Sequence, residues 1–126
     1  MATRLVENFI DSYAAMDGDS DAALLAVLRV LAEQPELSQR ELARGLGLSL
    51  GKTHYLVHAL LDKGLVKARN FRRNDNKLAY AYVLTARGLR EKLRLTRQFL
   101  ARKEAEYVHL SRTIAALRAE VAKEPG

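Results

Sequence analysis

Between Ser38 and Gly64 the sequence spells out two helices and a tight bend between them, and this stretch constrains the fold more than any other. Ser38-Gln39-Arg40-Glu41 has the form of a capping box: the Ser hydroxyl takes one free helix N–H, and the Glu three residues on reaches back to the cap. The helix it opens is short, because Gly45 and Gly47 stop it. Ser49 caps a following helix that runs through Asp62 and ends at Gly64, a residue suited to a left-handed cap. Ala43 is small where two helices must cross closely, and Gly47, four residues on, falls where the turn needs an unusual backbone angle. Leu42, Leu46, Leu48, Leu56 and Leu60 point to one core, while Thr53 stands where a branched apolar residue is usual. This spacing is a helix-turn-helix.

The same stretch contains "GLGLSLGKTHY", whose Gly-Lys-Thr raises the possibility of a phosphate-binding loop. That loop needs a Gly five positions before the Gly of Gly-Lys-Thr. The position is Leu46, and Gly45 and Gly47 each miss it by one. The preceding strand is missing as well, so the run reads as a turn and the start of a helix, and a nucleotide-binding protein is the weakest alternative.

Around this unit the pattern continues. Leu5, Val6, Phe9, Ile10 and Tyr13 predict a short amphipathic helix over residues 4–15, broken by "MDGDSD". Asp19 or Ser20 can cap a helix with Leu24, Leu25, Val27, Leu28 and Leu31 on its apolar face, ended by Pro35. "LVKARNF" (65–71) and "AYAYVLT" (79–85) read as strands, and the polar "RRNDNKL" between them suits a hairpin tip. Two strands after a helix-turn-helix make a wing. Thr85 caps a last, long helix: no Gly or Pro falls between Gly88 and Pro125. Leu93, Leu100, Tyr107, Ile114 and Val121 recur every seven residues, and Leu89, Thr96, Lys103, Leu110 and Leu117 fill a second register. Such a seam calls for a partner helix, most simply from a second copy, although a helix folded back on its own domain is the plainer alternative. The expected fold class is therefore mainly α with a small β-wing. Residues 1–18 are expected to form a short helix and linker, 19–85 a winged helix-turn-helix, and 86–126 a long C-terminal helix for coiled-coil dimerisation.

Charge supports an anionic partner. The chain carries 21 Lys and Arg against 15 Asp and Glu, a net charge of +6. The distribution is uneven: residues 1–21 hold one Arg and five acids, whereas residues 38–77 hold nine Lys/Arg and three acids. A basic region beginning at the helix-turn-helix fits nucleic acid better than a merely solvated surface. The absence of Cys excludes disulfides and thiolate metal sites. No signal peptide or membrane-length apolar run is visible, so a soluble cytoplasmic protein without membrane contact is expected. No acid pair or Ser/His/Asp set stands out, so no catalytic residue, enzyme activity or cofactor is expected.

Residues 22–90 resemble the winged-helix domain of MarR-type bacterial transcription regulators. The run "PELSQRELARGLGLSLGKTHYLVHALLDKGLVKARNFRRNDNKLAYAYVLTARG" is most similar to the small members associated with exopolysaccharide gene clusters, and the long terminal helix also fits that subgroup. The resemblance implies a homodimeric regulator bound to double-stranded DNA. Larger members often bind a small effector within additional helical structure; this chain has less material for such a pocket, and its effector is unknown.

The candidate DNA contacts follow from position. On the second helix of the motif, Ser49, Gly51, Lys52, His54, Tyr55 and His58 lie away from the Leu56/Leu60 face. Lys52 can reach guanine or phosphate, while His54 and Tyr55 can read base edges or hold phosphates. Ser38, Gln39 and Arg40 open the first helix, whose N–H groups can face a phosphate. The wing offers Arg69, Arg72, Arg73, Asn74, Asn76 and Lys77 for groove or backbone contact. The plain alternative for each is ordinary surface polarity, or simple capping for Ser38. His54, His58 and Asp62 are spaced by four, as in a metal site, but lack the companion ligands, so no metal is expected. Leu93, Leu100, Tyr107, Leu110, Ile114, Leu117 and Val121 are the candidate dimer contacts. The reading that follows is a dimeric, sequence-specific DNA-binding regulator. The alternative is a winged helix used as a protein-interaction module, with coiled-coil assembly as its role.

Overall fold

The computed structural model describes residues 20–125. The helix expected over 4–15 and the cap at Asp19 lie outside them. The elements run α1 (Ser20–Glu33), α2 (Gln39–Leu46), α3 (Leu50–Asp62), β1 (Val66–Arg72), β2 (Leu78–Leu84) and α4 (Ala86–Lys123). The chain divides into two compact units, the first closing at Leu95 and the second beginning at Thr96.

In the first unit α1 supplies the centre of the core. Leu24, Leu25, Val27, Leu28 and Leu31, the face expected from the sequence, are all buried, and Ala22, Ala26 and Val30 join them. Around α1 pack α2, α3 and β2, and α3 also meets α2 and β1. Leu42, Leu46, Leu56 and Leu60 are buried as expected, while Leu48 in the turn is half-buried. Thr53 is fully buried without breaking the apolar core. Its hydroxyl donates to the Ser49 carbonyl at 2.9 Å, which removes the polar liability and leaves the methyl group to pack.

Both motif helices end in the same way. Gly47 has φ +68° and Gly64 φ +70°. After α2, Leu48 N–H donates to Ala43 O (3.0 Å) and Gly47 N–H to Arg44 O (3.3 Å); after α3, Leu65 N–H donates to Leu60 O (2.9 Å) and Gly64 N–H to Leu61 O (3.0 Å). These paired bonds form Schellman caps, which occupy carbonyls that a helix end otherwise leaves open and turn the chain sharply.

β1 and β2 form an antiparallel hairpin in the register Val66↔Leu84 to Arg72↔Leu78. The tip is closed by Arg73 N–H to Lys77 O and Asn76 N–H to Arg73 O, both 2.9 Å. Asn76 takes φ +64°, a left-handed conformation that Asn tolerates. At its base the hairpin is anchored by Tyr82 N–H to Pro35 O (2.9 Å), so the turn that ends α1 also holds the wing.

Thr85 links wing and last helix. Its hydroxyl accepts from Gly88 N–H (3.0 Å) and donates to Gly64 O (2.7 Å), while its N–H donates to Leu65 O (3.0 Å). Gly88 is buried there. A Cβ at Gly88 would lie 1.9 Å from Leu65 O, so the first turn of α4 has no room for a side chain at this position.

The second unit is the remainder of α4. Leu100, Tyr107, Leu110, Ile114, Leu117 and Val121 are exposed, from 40% for Ile114 to 74% for Val121. Lys103, which interrupts the apolar register, bonds Glu106 at 3.1 Å and lies 5.2 Å from the Phe99 ring centroid. Its amine is thus engaged along its own helix.

Candidate nucleic-acid interface

The surface of α3 opposite the core is built by one N-cap and helical spacing. Ser49 accepts from Lys52 N–H through its hydroxyl at 3.1 Å, fixing the first turn. Burial then alternates with the helical period: Thr53, Leu56, Val57 and Leu60 face inward, while Ser49, Gly51, Lys52, His54, Tyr55 and His58 are exposed. Tyr55 is 66% exposed. Lys52 Nζ lies 5.6 Å from the Tyr55 ring centroid, and the His54 and His58 rings are 4.2 Å apart at a 47° tilt. Gly51 leaves open space where a side chain would stand.

α2 flanks this surface. The capping box at Ser38 forms as expected: Glu41 N–H donates to Ser38 Oγ (3.1 Å), and Ser38 N–H donates to Glu41 Oε1 (3.0 Å). The Ser38 backbone N–H first, and the Ser38 side chain second, hold the Glu41 carboxyl below its ordinary range, with the positive charges of Arg73 and Arg44 adding to the effect. The charge of Arg73 in the wing is therefore felt at α2. Arg40 is exposed. Gln39 is half-buried and its amide is used within the protein: Nε2 donates to Tyr82 Oη (3.2 Å), and Oε1 lies 3.1 Å from His54 Nδ1. Tyr82 was not singled out from the sequence. The signal available was the period of two in β2, which puts Tyr80 and Tyr82 on one face.

The wing residues separate by face. Arg72 stands opposite Leu78, and Asn70 opposite Tyr80, on the face that carries Tyr82. Arg69, an odd number of residues from Arg72, projects from the other face, opposite Ala81. Arg72 also closes the tip by donating from Nη1 to Asn76 O at 3.3 Å, and Lys77 N–H donates to Asp75 Oδ1 at 3.1 Å. Arg73, Asn74, Asn76 and Lys77 are all exposed at the tip. The arrangement thus offers a capped helix with polar and aromatic side chains beside a basic hairpin, the layout that can enter a groove and hold the adjacent phosphates.

His54 and His58 meet without Asp62: among the described residues no group of three or more His, Cys, Asp or Glu is placed to hold a metal ion. Among the same residues no helix is long and apolar enough to cross a membrane.

Comparison with known proteins agrees with this geometry. A family described as winged helix-turn-helix DNA-binding matches residues 20–67, which span α1 to the start of β1. Residues 20–67 are therefore similar to a winged helix-turn-helix DNA-binding domain. No curated protein sequence matches it. Among solved structures it is similar to wild-type MarR from Escherichia coli in its apo form (TM-score 0.57, 19% identity, 98% of this chain and 90% of that one). It is also similar to a MarR/EmrR family transcriptional regulator from an Acinetobacter strain (TM-score 0.54, 21% identity, 98% and 90% covered). A third is MepR, a transcription regulator of the Staphylococcus aureus multidrug efflux pump MepA (TM-score 0.53, 17% identity, 95% and 87% covered). The fold is thus the winged-helix fold of MarR-type regulators.

Proposed function

We propose that the chain is a sequence-specific transcriptional regulator that binds double-stranded DNA as a homodimer. One observation carries the reading: a helix whose inner side is core presents Ser49, Gly51, Lys52, His54, Tyr55 and His58 outward, beside a wing tip with Arg72, Arg73 and Lys77. α3 enters the major groove, where Lys52 and the two His side chains meet base edges, and the wing and the start of α2 hold phosphates. The exposed stripe from Leu100 to Val121 supports pairing with a second copy, since an apolar seam of this spacing is stable only when covered. Leu93 extends the same register. Two copies favour a pseudo-palindromic site with half-sites roughly 34 Å apart. Occupying such a site blocks polymerase, so repression is the simplest outcome. The association with exopolysaccharide genes rests on the resemblance of the sequence alone.

The seam serves equally well in a protein-assembly role; the outward face of α3 and its basic neighbours favour DNA. Selection of bound duplexes from a randomised pool tests the proposal. The expected result is enrichment of one two-fold motif, lost in the double variant Lys52→Ala/His54→Ala. An unenriched pool for the wild type, or the same motif from the variant, would remove α3 from the reading role.

A further inference from the structure

The Gln39 side chain joins three elements, and the direction of its two bonds has a chemical consequence. Its Nε2 donates to Tyr82 Oη at 3.2 Å, so its Oε1 is turned to His54 Nδ1 at 3.1 Å. A carbonyl oxygen only accepts. With the amide so placed, a neutral His54 bonds it by carrying its proton on Nδ1, which leaves Nε2 as an acceptor on the exposed helix α3.

We propose that Tyr82 and Gln39 are positioning residues that fix the tautomer of His54 and so set which base it reads. Tyr82 orients the Gln39 amide, and Gln39 orients the imidazole. With Nε2 as acceptor, His54 selects a base pair that presents an exocyclic amine in the major groove, adenine N6 or cytosine N4, over guanine O6/N7 or thymine O4. The wing strand thereby acts on specificity without touching the base. Gln39 serves this relay rather than the phosphate contact expected from its place at the start of α2. The inference rests on the DNA-reading role of α3, but its first half can be measured without DNA.

The test uses the full chain and three variants, Tyr82→Phe, Gln39→Ala and Gln39→Glu. Long-range nitrogen–proton NMR of the imidazoles, at a pH above the ordinary histidine range, reports which nitrogen is protonated. The expected wild-type signal is His54 protonated on Nδ1, changing to a mixture in Tyr82→Phe and Gln39→Ala. Gln39→Glu offers only acceptors and should keep the Nδ1–H form. Duplexes varied at each base pair then report discrimination. One position should lose about fivefold of its preference in Tyr82→Phe, the worth of one hydrogen bond, with affinity for unrelated duplexes unchanged. Gln39→Glu should retain that preference while weakening all duplexes, because it adds negative charge near phosphate. A wild-type His54 protonated on Nε2, or an unchanged tautomer in both Tyr82→Phe and Gln39→Ala, overturns the relay. A shifted tautomer with unchanged base preference overturns its reading role. A wild type that prefers no duplex, with the tautomer shift intact, instead sinks the DNA-reading role of α3.

Discussion

Gly51→Ala should strengthen the fold and weaken DNA binding, and the opposite signs make it informative. Gly51 is the second residue of α3 and has open space around the position of a Cβ, so a methyl group meets nothing within the protein. Within a helix interior, Ala is favoured over Gly by about 1 kcal/mol; in the first turn roughly half of that is expected. For a domain of this size the gain corresponds to a Tm rise of about 2–4 °C. In the proposed complex the same methyl group stands between α3 and the duplex. Forcing a methyl into a packed contact costs about 1–3 kcal/mol, which is roughly a five- to 150-fold loss in affinity. Thermal melts followed by circular dichroism give the first quantity, and anisotropy with a selected duplex the second. Unchanged affinity with a raised Tm would place this turn away from DNA. A lowered Tm would refute the helical account of the residue itself.

Gly88→Ala should act through the fold alone. Its Cβ would fall 1.9 Å from a backbone oxygen, so α4 and the start of the wing must move apart, and a loss of about 3 kcal/mol or more is expected in denaturant unfolding. Gly47→Ala, with no clash but a left-handed backbone, should lose only about 1–2 kcal/mol; equal losses would contradict the steric argument. Arg73→Ala should flatten the plot of log affinity against log salt by about 0.9 for each phosphate no longer neutralised, and an unaltered slope would take the wing tip off the backbone. Leu110→Asp with Ile114→Asp should yield monomers in analytical ultracentrifugation, since each side chain that the proposed pairing would bury is worth about 1.5–3 kcal/mol and both copies lose two. A surviving dimer would move the interface elsewhere. Glu41 supplies a pH dependence: its folded-state pKa is lowered, so its stabilising effect is present above the ordinary carboxylate value and lost as pH falls through the lowered one. The stability gap between wild type and Glu41→Ala should close on acidification, and a gap that widens would reverse the assigned sign.

The local chemistry of this chain was readable where it is carried by neighbours in sequence. Ser38 with Glu41, Ser49 before its helix, and Gly47 and Gly64 after theirs each act within a few residues, and the structure repeats them bond for bond. The hairpin and its tip were legible for the same reason. What was not legible depends largely on residues far apart in the chain. Thr53 is the local exception: it departs from the core pattern by residue type, and its hydroxyl bonds the Ser49 carbonyl only four residues back. Gly88 carries no signal in the sequence beyond bounding the Gly- and Pro-free stretch, and the approach of Leu65 explains it. Gln39 reads as a helix-start residue turned to a phosphate, yet its side chain's partners Tyr82 and His54 come from two other elements, 43 and 15 residues away. The basic residues of the wing were legible as a group, but their division between two faces required the strand register, which puts Arg69 and Arg72 on opposite sides.

The measurement that bears most directly on the central claim is fluorescence anisotropy with duplex DNA from upstream of the chain's own operon, against a scrambled duplex, across a salt series. Tighter binding to the native duplex, with affinity falling steeply as salt rises, is the expected result for a dimer that reads bases through α3 and holds phosphates with its wings. Equal binding to both duplexes, or none at low salt, would contradict it.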